Sequence, residues 1–149
     1  MKYFTKEWYA RMQQMGNCGS QEEWERLRPE IEAPMEAYHT YLEQEGLTAI
    51  DQKLNYHDWR VLHAQRDGND FCLFLGYDTD TPSVRLRFVD TQVFGQELSG
   101  NPNADYVWLY HELYLTATGY QLQLLLAEAD GLYEWSIQCA RMELTEVKE

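Results

Sequence analysis

The sequence predicts an α+β fold: two or three N-terminal helices packed on a twisted antiparallel β-meander of about six strands. Three observations carry this. Apolar residues recur at spacings of three and four up to about residue 45, they alternate with a period of two from Asp58 onward, and short Gly- and Asn-containing turns separate the alternating runs. At 149 residues the chain suits a single domain, with residues 1–55 helical and 56–149 forming the sheet.

In the helical part, Thr5 is placed to cap a helix through about Met15, with Phe4 and Tyr9 at the positions of a hydrophobic staple. Trp8, Met12 and Met15 share a face, and Gly16 ends the run. Ser20 with Glu23 forms a capping box. Behind it Trp24, Leu27, Ile31, Met35, Tyr38 and Leu42 make one apolar stripe. Pro29 and Pro34 interrupt that stripe, so the expectation is two helices, about 20–28 and 34–45, or one kinked helix. Gly46 closes the segment, and Thr48 with Asp51 predicts a further short turn through Leu54.

Six strands are expected after that. Residues 59–66 and 71–77 form a hairpin across Asp67-Gly68-Asn69-Asp70, and 84–89 follows with Arg85 and Arg87 on the polar side. A polar loop, Ser99 to Asn103, precedes strands at 106–115, 120–128 and 132–141, which are joined through Thr118-Gly119 and Asp130-Gly131. Connections this short make neighbouring strands antiparallel.

The net charge of −13 is the main compositional deviation. It repels phosphate backbones, which argues against nucleic-acid binding, and it steers a basic partner into encounter. No apolar run is long enough to span a bilayer, and no signal segment follows the opening lysines, so no membrane association is expected. Cys18, Cys72 and Cys139 form no C-x-x-C pair and no zinc spacing, which fits reduced thiols in a cytoplasmic protein.

The opening Met1-Lys2-Tyr3-Phe4-Thr5-Lys6, the pair His57-Asp58, and the run Trp108-Leu109-Tyr110-His111-Glu112-Leu113-Tyr114 before a Gly-Tyr hairpin resemble a bacterial family of unknown function. Its members share an M-K-Y-F-T-K opening and a W-L-Y-x-E-[IL]-Y segment. The resemblance implies a bacterial origin and this order of elements, without a mechanism. Gln123 stands where the family's pattern has histidine.

Chemistry-bearing constellations are few. His57, Asp58, His63 and Glu112 supply nitrogen and oxygen donors for a metal-binding or small hydrolase-like enzyme if the first strand lies beside the fifth. Against this, His111 alternates with Leu109 and Leu113 and is expected in the core, leaving Glu112 exposed on the opposite face. There is no nucleophile elbow, no phosphate loop and no complete calcium loop, and no motif calls for a cofactor or a metal. The alternating Tyr106, Trp108, Tyr110 and Tyr114, with Glu112 among them, form a ladder that either packs beneath the helices or lies open as an interface. The balance falls on a non-catalytic protein-interaction domain, such as an acidic inhibitor or immunity-type protein for a basic partner. A homodimer through the aromatic face fits the same residues.

Overall fold

The computed structural model describes residues 1–95, 106–129 and 131–147. The expected loop Ser99–Asn103 and the turn residue Asp130 lie outside the described residues. The chain is α+β and comprises two compact units, Met1–Leu54 and Asn55–Glu149.

The first unit holds three helices: α1 (Lys6–Gly16), α2 (Gln21–Glu45) and α3 (Thr48–Lys53). Their ends are where the caps predict. The Trp8 amide donates to the Thr5 hydroxyl, the Glu23 amide donates to Ser20, and Gly46 closes α2 with a left-handed φ of 71°. Across the two prolines, however, α2 is one continuous helix rather than two. Pro29 denies a donor to the carbonyl of Glu25, and Pro34 denies one to that of Glu30. Glu25, Glu30 and Pro29 are all exposed, so water can take the freed acceptors. Packing on the other face supports the continuity. Leu27, Ile31, Tyr38 and Leu42 are buried, and the Trp8 indole donates to the Ile31 carbonyl at 3.0 Å. Phe4 packs at a tilt against Trp8 and edge-on against Tyr38, and the Tyr38 hydroxyl donates to Asp51 at 2.6 Å, tying α2 to α3. No described helix is long and apolar enough to cross a membrane.

The second unit is one antiparallel sheet of eight strands, not about six: β1 (Arg60–Asp67), β2 (Asp70–Gly76), β3 (Val84–Val89), β4 (Gln92–Gly95), β5 (Tyr106–Thr116), β6 (Gly119–Glu128), β7 (Gly131–Cys139) and β8 (Arg141–Glu146). Nor is it a simple meander, because the order is β4-β7-β6-β5-β1-β2-β3-β8. The extra strands come from two long runs that each break once. β3 and β4 part at Asp90, which takes a φ of 53°, and β7 and β8 part at Ala140. One register carries through both breaks, from Val84 opposite Glu146 to Gly95 opposite Trp135. The Ala140 amide holds the junction by donating to the Val89 carbonyl at 2.8 Å.

The two ends of the strand order are therefore joined, and the sheet closes on itself as a small barrel. Its other seam is short. Arg60 lies opposite Val107 and Val61 opposite Tyr106, while a bulge at Leu62 and another at Leu109 turn the two strands apart on either side. Leu73, Leu75, Leu86, Phe88, Leu113, Leu122, Leu124, Leu126 and Ile137 form the core, and none is more than 1% exposed.

The β1–β2 turn and the Asp90 junction are fastened together by charge. Asp70 accepts from Arg87 and from the Asp90 amide, and Arg87 also faces Asp67 at 3.8 Å. The Arg87 hydrogen bond, helped by the Asp90 amide, holds the Asp70 carboxyl below its ordinary range. A depressed folded-state value stabilises the fold above the unfolded carboxylate value of about 4, and the contribution is lost as pH falls through the folded value. Melting temperature measured down an acid series should therefore fall less steeply for Asp70→Asn than for the parent below about pH 4. Equal slopes would remove Asp70 from the account of acid lability.

Candidate functional site: the seam between β1 and β5

Local irregularities gather where β1 meets β5. The Asp58 amide donates to the Trp108 carbonyl at 2.7 Å, and the Trp108 amide donates to the Trp59 carbonyl at 2.8 Å. The ladder would next require a partner for the Leu109 carbonyl. The side chain of His57 supplies it through Nδ1. Asp58 adopts a left-handed φ of 67°, which aspartate tolerates better than most residues. The His57 ring lies 4.8 Å from Tyr110, and its Nε2 is 3.4 Å from the Asp58 carboxylate.

The bulge at Leu109 revises the expected ladder. Tyr106 and Trp108 point into the barrel, whereas Tyr110, Glu112 and Tyr114 point to the other face. Tyr106 packs on Tyr133 and Trp135, and burial pushes its phenol upward, with Glu128 adding to the shift. Trp108 is fully buried between Tyr56 and His111, and its indole N–H has no hydrogen-bond partner among the described residues. Glu112, expected to be exposed, is 0% exposed and accepts from the Tyr114 hydroxyl. Both faces of β5 are covered at this level, since Glu112 and Leu113 are equally buried. Strict alternation assigns only one of them to the interior.

The candidate donors for a metal do not come together. His57 and Asp58 are adjacent, but His63 lies opposite Phe74 on β1 and Glu112 opposite Gln123 on β5. Among the described residues no group of three or more His, Cys, Asp or Glu side chains converges. The three thiols are free. Cys72 and Cys139 are buried, and burial pushes the Cys139 thiol up to about 11.

The seam instead brings out an aromatic pair the sequence reading passed over. Tyr77, just past the end of β2, is 61% exposed and its ring lies 5.8 Å from half-buried Trp59, which in turn packs edge-on against Tyr56. Carboxylates flank the pair in sequence. Asp58 precedes Trp59 and Asp78 follows Tyr77, both exposed and left-handed, while Asp80 is exposed and bound to Arg60 at 2.7 Å. The signal was present in the sequence as Tyr77-Asp78-Thr79-Asp80, an aromatic residue released at the end of an apolar strand into an acidic turn. No family model matches this chain, and no curated protein matches it.

Proposed function

We propose that the chain is a non-catalytic protein-interaction domain that docks a basic partner on the Trp59–Tyr77 surface. The observation that carries this reading is the exposed Tyr77 ring beside half-buried Trp59, with the exposed Asp58, Asp78 and Asp80 next to the pair in sequence. Large rings supply contact area at little entropic cost, and aromatic faces and carboxylates both attract lysine and arginine heads. The overall charge supports the same partner. Residues 55–149 hold fifteen of the twenty-five carboxylates against six of the twelve basic residues, so the field is strongest on the unit that carries the pair.

An acidic inhibitor or immunity-type protein that covers a basic site is the version of this role with the closest fit to charge and size. The reading includes a bacterial, cytoplasmic protein of the family whose opening it resembles. Trp108 leaves the expected contact set, because it has no exposed surface.

The test is a tagged pull-down from lysate of the source organism at low and high salt, followed by calorimetry with the captured protein. The expected result is one stoichiometric basic partner, released by salt, with Trp59→Ala and Tyr77→Ala each weakening binding by about 2 kcal/mol, roughly thirtyfold. Retention of nothing at either salt, or a partner indifferent to both substitutions, would overturn the assignment. Concentration-dependent self-association abolished by Tyr77→Ala would replace the basic partner with a second copy of this chain.

A further inference from the structure

On the outer face of the barrel, the register lines up one row across four strands: His63 opposite Phe74, Phe74 opposite Arg85, and Arg85 opposite Thr145. Directly opposed residues share a face, so these four side chains are neighbours in that order. The parallel row is Gln65, Cys72, Arg87 and Glu143. The two arginines are treated differently. Arg87 is neutralised by Asp70 and Asp67. Arg85 takes part in no ion pair among the described residues, and its Nε is buried with no acceptor.

That arrangement is unfavourable by itself. A guanidinium partly removed from water without a counter-charge keeps its desolvation cost, and a second guanidinium stands two residues away. In a chain with about twice as many carboxylates as basic groups, Arg85 nevertheless pairs with none among the described residues, and the nearest carboxylate in the register, Glu143, stands diagonal to it and opposite Arg87. Its neighbours in the row are not acids either. Phe74 is half-buried, His63 is exposed with its ring 5.7 Å from Phe74, and Thr145 is exposed.

We infer that this row binds a carboxylate carried on an apolar or aromatic body. The guanidinium fork takes the carboxylate oxygens in its own plane, and the Thr145 hydroxyl is placed to donate to the same group. Adjacent strands lie roughly 5 Å apart, so Phe74 sits at the distance that separates the ring of a small aryl carboxylate from its charged end. His63 flanks that ring on the far side. A dianionic phosphate fits less well, since one guanidinium would have to hold it against the field of a −13 chain. The inference rests on β1, β2, β3 and β8 and is independent of the partner proposed for Trp59 and Tyr77.

The experiment titrates benzoate, acetate and inorganic phosphate, at constant ionic strength, into the isotope-labelled full chain and follows the Arg85 Nε–H resonance. The expected result is a saturable shift with benzoate, several-fold weaker with acetate and weaker still with phosphate. Arg85→Lys should then weaken benzoate binding by roughly an order of magnitude, the loss of one charge-assisted hydrogen bond. Shifts that rise linearly, or that are the same for all three anions, mean ionic screening only and overturn the site. Tighter saturation by phosphate overturns the carboxylate, and undiminished binding by the lysine variant overturns the role of Arg85.

Discussion

Gly119→Ala should destabilise the protein by about 3 kcal/mol or more, lowering the melting temperature by roughly 10 °C. Gly119 opens β6 with a φ of 155°, where a side chain is strained before any contact is counted. A Cβ there would stand 2.2 Å from the Cys139 carbonyl oxygen and 2.7 Å from both the Cα and the oxygen of Ala140. All three are backbone atoms at the junction where β7 becomes β8. They cannot yield as the end of a flexible side chain could, and the Ala140 amide is committed to Val89. The substitution therefore acts on the corner that closes the barrel, not only on its own turn. Differential scanning calorimetry reads it directly, and a melting temperature within a degree or two of the parent would show that the corner relaxes without cost.

Trp108→Ala should cost about 3–5 kcal/mol in urea unfolding, as expected for a large aromatic residue removed from a packed interior. Trp108 is fully buried opposite Leu126 and touches the rings of Tyr56 and His111. Trp108→Phe should cost much less. It keeps a ring in place and removes an indole N–H that has no acceptor among the described residues, a group whose burial is itself unfavourable by about 1–3 kcal/mol. Comparison with the surface variants also separates stability from binding. A folded Trp108→Phe protein should bind the basic partner as the parent does, whereas Trp59→Ala should fold and bind it roughly thirtyfold more weakly. Equal costs for alanine and phenylalanine would mean that the orphaned donor carries no penalty.

Much of the fold was legible because local chemistry decided it. Thr5, Ser20 and Gly46 mark helix ends that the structure places within a residue, and Val84–Val89 forms a strand over the residues its alternation predicts. Where the reading failed, a non-local term won. Pro29 lies on the solvent side, so its missing hydrogen bond was too weak to divide a helix held by Leu27, Ile31 and Tyr38. β4 and β8 carry little pattern of their own, and their pairing follows from the long registers already set by β3 and β7. The candidate site suffered most from a single residue. The bulge at Leu109 exchanges the faces of β5 partway along, so Trp108 leaves the side occupied by Tyr110 and Tyr114. No periodicity in the sequence announces that exchange. Tyr77 was missed for a simpler reason: it follows an apolar strand, and alternation does not say where burial stops.

The closure of the barrel also sets an order of assembly. Hairpins β1–β2, β5–β6 and β6–β7 join strands across short connections and need little chain to be searched. The ladder that joins β3 and β4 to β7 and β8 pairs Val84 with Glu146, across the whole of the chain from β4 to β7. It gains nothing until the intervening chain has been brought round, and that loop entropy is unfavourable before the first of its pairs forms. Closing this ladder therefore carries the largest loop-entropy cost in the sheet unit. β8 carries six of the ten pairs in that ladder and β7 the other four, so the barrel closes only when both halves of that long strand are in place.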